Sequence, residues 1–187
     1  MQGFAREAAC WFLVFFVLLV GASFLHPNFS LQRIVHVIVE NHDALIAVSA
    51  PDDVIHFFDL NASLLSILTN IPMAFVSGFF RPFIWEANTF FKLAVSVENL
   101  VILGLSIAAI RSFPKLKDSQ FRLPVLALLV YCTGLCLFLA LSTPNFGTFV
   151  RLRIGFLPFL LLIISSQPLV IRPLSKLFNV PLNDLKG

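Results

Sequence analysis

The sequence predicts an all-α, polytopic membrane helical bundle of four or five transmembrane helices in a single membrane domain. Three observations predict it. Hydrophobic residues make up 58% of the 187-residue chain and charged residues 12%, where a soluble domain carries about 25% charged residues; the mean hydropathy is +0.92. Several apolar runs approach the ~20 residues a helix needs to cross a hydrocarbon core. The basic residues gather beside those runs rather than in a stripe. The formal charge of +3 is therefore a topology signal that points to a lipid bilayer and away from nucleic acid.

The first run, AACWFLVFFVLLVGASFL over residues 8–25, follows Arg6 and carries no charge. Its apolar core exceeds the ~7–15 residues of a secretory signal, which favours a retained span. Residues 26–63 form an extracytoplasmic segment with all four histidines and five of the ten acids. Within it, LQRIVHVIVENHDALIAV is interrupted by Arg33, His36, Glu40, His42 and Asp43. It predicts a helix or short strands lying on the membrane surface. SAPDD supplies a turn or a helix start, with Ser49 as cap and Pro51 fixing φ. His36, Glu40 and His42 match no standard zinc spacing, so the expectation is a solvated polar face, with no metal and no cofactor.

Residues 64–80, LLSILTNIPMAFVSGFF, are short for a span and include Asn70, Pro72, Ser77 and Gly78. Irregular backbone survives at membrane depth only where protein or a cavity covers it. The segment is therefore re-entrant or strongly tilted, or else a fifth span. In RPFIWE, which follows, Pro82 stops the helix and Trp85 suits the headgroup zone. Spans are predicted over 93–110 (with Glu98 near one end), 124–142 and 154–171, the last loosened by Pro158 and Pro168. Cys10, Cys132 and Cys136 fall inside apolar runs and read as packing residues, not a disulfide framework.

Loop 111–122 carries four basic residues and the tail three, against two in 143–153. The positive-inside rule puts loop and tail in the cytoplasm. Arg81, Trp85, Glu86, Asn145, Arg151 and Arg153 are then expected at the outer interface, where arginines run against the bias. TPNFG supplies turn chemistry. A helix whose first N–H groups lack intrahelical partners follows, beside two guanidinium groups. Together these are the materials of an anion site, suited to phosphate because the planar fork can hold two oxygens. The alternative is snorkelling from a span end, which accounts for Arg111 and Arg172. Glu98 divides similarly, between a functional intramembrane carboxylate and one that snorkels or pairs with an arginine.

FFRPFIWEANTFFKLAVSVENL, followed by LSTPNFGTFVRLRIGFLPFLL, resembles the carboxy-terminal half of multi-pass inner-membrane proteins of bacterial exopolysaccharide and O-antigen clusters, which are similar to oligosaccharide repeat-unit polymerases. The motifs are R-P-F-x-W-E at Arg81 to Glu86, E-N at Glu98-Asn99, and N-F-G-x-x-x-R-x-R from Asn145 to Arg153, within residues 64–165. The resemblance implies a chain of the bacterial cytoplasmic (inner) membrane handling polyprenyl-pyrophosphate-linked glycans at its outer face. Arg151 and Arg153, with Arg81 as a third, would hold the lipid diphosphate beside Trp85 and Asn145. Glu86 or Glu98 would activate an acceptor hydroxyl, and the guanidinium groups would stabilise the charge left behind. Such polymerases carry more spans, so the expectation is a shortened relative, a half that assembles with another membrane chain or with itself, or an inactive remnant. Two other classes stay open. One is a non-catalytic subunit or scaffold docking a partner protein. The other, least favoured, is a small transporter, because the last spans offer only Ser, Thr and Gln for a midplane site.

Overall fold

A computed structural model describes residues 2–112 and 122–177. Among these the chain is helical, with a lone bridge between Val54 and Asn145 in place of any strand. The helices are α1 (Gln2–Leu25), α2 (Leu31–Val48), α3 (Leu64–Phe80), α4 (Phe90–Ser112), α5 (Arg122–Ser142), α6 (Phe146–Leu152), α7 (Leu157–Ser165) and α8 (Pro168–Leu177). α1, α4 and α5 are long and apolar enough to cross a membrane, and there are up to four such segments when the bent pair α6–α7 is taken as one span. The chain is an all-α integral membrane bundle.

One end of the bundle gathers most of the polar chemistry. Ile55 N donates to the Pro144 carbonyl (2.9 Å) just after α5. The Arg81 guanidinium, just after α3, lies over the Phe146 ring at 5.4 Å, and Lys92, in the first turn of α4, lies over it at 5.8 Å. Residues 54–81 therefore leave and return at the same end of α5, as a re-entrant segment does. We call this the upper end. Arg111 and Arg122, at the far ends of α4 and α5, mark the lower end. The rest of the connecting loop and the tail, with Lys115, Lys117 and Lys186, lie outside the described residues.

Asn70 makes the descending strand of this hairpin tolerable. Its Oδ1 accepts from Phe58 N at 3.0 Å and its Nδ2 donates to Phe58 O at 2.9 Å. One buried amide thus replaces both ladder bonds that the irregular backbone lacks. The helical arm packs on α5 through Gly78, where a Cβ would overlap Cys136 Sγ and stand 3.3 Å from Ala140 Cβ. Close backbone approach is what the missing side chain provides. Ala74, Phe79, Cys132, Cys136, Ala140 and Phe156 form the centre of the core around this contact.

The segment 31–48, open between helix and strands, is a helix. Ser30 caps it by accepting from Arg33 N at 3.3 Å, and its buried face, Val35, Ile38 and His42, turns to α5. His36 and Glu40 pair on the exposed side (3.3 Å), while the His42 ring lies against Phe57 at 5.8 Å. The three do not converge on one point. α1 stands apart: no residue of its membrane window is buried, although Phe4 meets Arg122 at the lower end (5.7 Å).

Across the expected span 154–171 the helix is not continuous: α6 and a 3-10 turn at Arg153–Gly155 run from Phe146, and α7 follows at an angle of 60°. Pro158 sits in the first turn of α7, where its missing N–H breaks no intrahelical bond. α8 is a separate ten-residue helix starting at Pro168, with Val170 buried against Ala109 and Ile164.

Candidate functional site

Two clefts open at the upper end. One, of about 380 Å³, is lined by Asp52, His56, Arg81, Trp85, Glu86, Asn88 and Phe146 among others. The second, of about 270 Å³, is lined by Asp53, Asn88, Lys92, Asn145 and Phe146 with apolar neighbours. Phe146 lines both. A cation faces its ring from each cleft, a geometry favoured by the ring's negative face.

Each cation holds a carboxylate. Arg81 forms a two-pronged pair with Glu86, Nε to Oε2 at 3.1 Å and Nη2 to Oε1. Lys92 is paired with Asp53 and donates to the Asp52 carbonyl at 3.1 Å. Glu86 Oε2 also accepts from Phe83 N at 2.8 Å. Burial pushes the Glu86 carboxyl up, but the Arg81 hydrogen bonds, the Phe83 amide and the charges of Arg81 and Lys92 outweigh it and hold it below its ordinary 4.5. Trp85 stacks on Phe83 (centroids 4.7 Å apart) and is 80% exposed, an aromatic plate at the cleft rim.

Asn145 is the cap of α6. Its Oδ1 accepts from Thr148 N at 3.0 Å and its Nδ2 donates to Ser49 Oγ at 2.8 Å. The amides expected to be open to an anion therefore begin under a capped turn, and both arginines lie beyond it, where α6 ends.

Arg153 departs furthest from expectation. Tyr131 Oη donates to Gly155 O at 2.9 Å, and Cys132 Sγ lies 3.6 Å from Phe156 O. These contacts fix the 3-10 turn about ten residues below the top of α5, or ~15 Å at 1.5 Å per residue. There Arg153 is 2% exposed. Its Nη1 donates to Asn99 Oδ1 (2.7 Å) and its Nη2 to the Phe79 carbonyl (3.0 Å). Phe79 lies in the last turn of α3, where carbonyls lack intrahelical donors and the helix dipole is negative. Asn99 Nδ2 in turn donates to Pro82 O at 3.2 Å, and Ser96 Oγ lies 3.1 Å from Phe83 O. Arg153 thus ties the bend between α6 and α7 to α4 and to the end of α3, buried rather than exposed as the sequence placed it.

Arg151, two residues earlier, is exposed and so faces the opposite way, since successive helix residues turn by 100°. Glu98 is exposed on α4, eight residues below its start, at a depth of ~12 Å. Neither lines the clefts. The structure therefore brings together Arg81, Trp85, Glu86 and Asn145 at the upper end, and sets Arg151, Arg153 and Glu98 below them. It adds residues to which the sequence reading gave no role at the site: Lys92, Asp53, His56 and Asn88, and also Asn99, named there only within the E-N motif. Lys92 carried one signal, a lysine in the opening turn of an apolar helix that begins beside RPFIWE. The others depend on contacts across up to 54 residues.

No family model, curated protein or solved structure matches the chain. Its class follows from fold and site alone: a helical integral membrane protein with a charged, aromatic-rimmed cleft at one end and a buried arginine at a broken span.

Proposed function

We propose that the chain belongs to bacterial polysaccharide assembly in the cytoplasmic (inner) membrane, and acts on polyprenyl-pyrophosphate-linked glycans at the outer face. The observation that carries this reading is the pair of cations, Arg81 and Lys92, each held near the Phe146 ring and lining one of two clefts at the end of an apolar bundle. A lipid diphosphate has the matching shape: an apolar chain that stays in the bilayer and two phosphates that need cations at its surface. Trp85 offers a flat face to a sugar ring, and the resemblance in RPFIWE and NFGTFVRLR supports the same substrate.

Arg81 is paired with Glu86, and this pairing suggests the sequence of events. The diphosphate takes the guanidinium fork in place of the carboxylate, since both present paired oxygens. Glu86, still partly buried and stripped of its main counter-charge, then has a higher pKa and accepts the proton of an acceptor hydroxyl. The hydroxyl oxygen forms a bond to the anomeric carbon as the bond to the diphosphate breaks. The bonding pair leaves with the diphosphate, whose charge Arg81 and Lys92 stabilise. Glu98 lies outside the clefts, so Glu86 is the carboxylate assigned to this step.

Glycan length in cells tests the proposal. Arg81→Gln, Lys92→Gln and Glu86→Gln are each expected to shorten or abolish polymer at unchanged protein level, with Arg151→Gln affected less. Full-length polymer from all of the first three would overturn it. A second reading, a non-catalytic subunit that docks a partner, is favoured by α1, whose span contributes nothing to the core. Normal polymer in an α1 variant that no longer retains a co-purifying chain would separate the two.

A further inference from the structure

Glu98 makes no hydrogen bond or ion pair among the described residues, and it is exposed on α4 at a depth of ~12 Å. A carboxylate inside a span is costly unless something pairs with it. The Glu98 charge acts on Arg153, whose Nη groups are given to Asn99 and Phe79 and whose Nε is buried without a partner, but no hydrogen bond joins the two side chains. The carboxylate oxygens still lack donors.

The cations of the upper half narrow the choice of partner. Arg33 is paired with Glu40, Arg81 with Glu86 and Lys92 with Asp53. Arg111 is thirteen residues further along α4, ~20 Å away at the lower end. Arg151 remains: exposed, without an ion pair among the described residues, and ~9 Å below Asn145. It cannot serve Glu98 of its own chain. Arg153 points from this turn to Asn99 on α4, so Arg151, about 200° around the helix, points away from α4. One chain therefore presents an unpaired acid and an unpaired base at similar depth on different faces.

We propose that the protein self-associates head to tail, Glu98 of one copy pairing with Arg151 of the next. Because the two faces differ, the contact is heterologous and builds a ring or chain of copies rather than a two-fold dimer. Apolar residues beside each charge, Val97 and Val101 on α4 and Leu152 and Ile154 beyond Arg151, are exposed and complete the two surfaces. This inference is independent of the proposed substrate.

The test uses full-length protein in lipid nanodiscs or native membranes, with stoichiometry read by native mass spectrometry or photobleaching steps. The wild type is expected to be oligomeric, and Glu98→Arg and Arg151→Glu each monomeric. Mixing those two variants should restore association in alternating order, because each then supplies the charge the other needs. Glu98→Gln and Arg151→Gln, which avoid charge reversal, serve where a reversed variant fails to insert, and both are expected to be monomeric. A monomeric wild type overturns the proposal, as do single variants that stay oligomeric or a mixture that stays dissociated. A wild type that associates only with a different chain counts as the first of these outcomes.

Discussion

At the scale of single residues, two charges show how surroundings set a side chain's role. Arg153 and Arg81 are the same residue type, yet one is sealed inside the bundle and the other lines a cleft. Removing one partner of a buried charged contact costs about 3–5 kcal/mol, chiefly through the groups left unpaired. Arg153→Met is therefore expected to lose about that much, measured by denaturant unfolding in detergent, and Arg153→Lys a large part of it, because one ammonium cannot reproduce the fork to Asn99 and Phe79. An Arg153→Met variant as stable as the wild type would show that the break is held by packing alone. Glu86 gives a pH dependence. Its folded-state pKa lies below that of the unfolded chain, so the unfolded chain binds the proton more tightly. The stabilisation by its pair with Arg81 is fully present above about 4.5 and is lost as pH falls through the lower, folded value. The gap in melting temperature between wild type and Glu86→Gln should be widest above pH 5 and close on acidification. A gap unchanged down to the acid limit would contradict this.

At the scale of elements, the hairpin of residues 54–81 depends on two small features. Gly78 lets α3 lie directly on α5, and Gly78→Val should cost about 1–3 kcal/mol by overpacking against Cys136 and Ala140. Asn70→Leu keeps volume but leaves Phe58 N–H and C=O unpaired, at about 1–3 kcal/mol for each buried group. Both effects are measurable as lost resistance to unfolding. In addition, protease cleavage within 56–63 should rise in Asn70→Leu ahead of global unfolding; simultaneous loss would mean that the hairpin is no separate unit. The α6–α7 break shows the same logic. A bend exposes backbone groups at mid-depth, and Tyr131, whose hydroxyl binds Gly155 O, satisfies one of them.

At the scale of the whole molecule, the polar end and its membrane side are separate questions. The charge rule places the upper end outside. Trp85→Cys should therefore react with a membrane-impermeant maleimide in intact cells, and a reporter fused at Gly187 should register the cytoplasm. Labelling only after permeabilisation would invert the molecule and remove the clefts from the outer face. The re-entrant arrangement has a consequence here: since residues 54–81 begin and end on one side, the side assigned to Trp85 also holds for Asp53 and Asn145.

The sequence alone determined that this chain is a helical membrane bundle, because burial in lipid requires long apolar helices and leaves a deficit of charge that composition records. It also showed where the chain is irregular, since Pro and polar residues inside apolar runs are local signals, and it singled out the arginines, Trp85 and Glu86. It did not locate the bend in the last helices and placed Arg153 at the surface, because a bend and a buried charge are set by partners distant along the chain. Asn99, Phe79 and Tyr131 decide that Arg153 turns inward, and nothing local to Arg153 encodes them. Only the tertiary structure joined Lys92 to Asp53 across Phe146, because pairing between helix ends depends on how the helices pack, and a linear pattern of residues does not contain that packing.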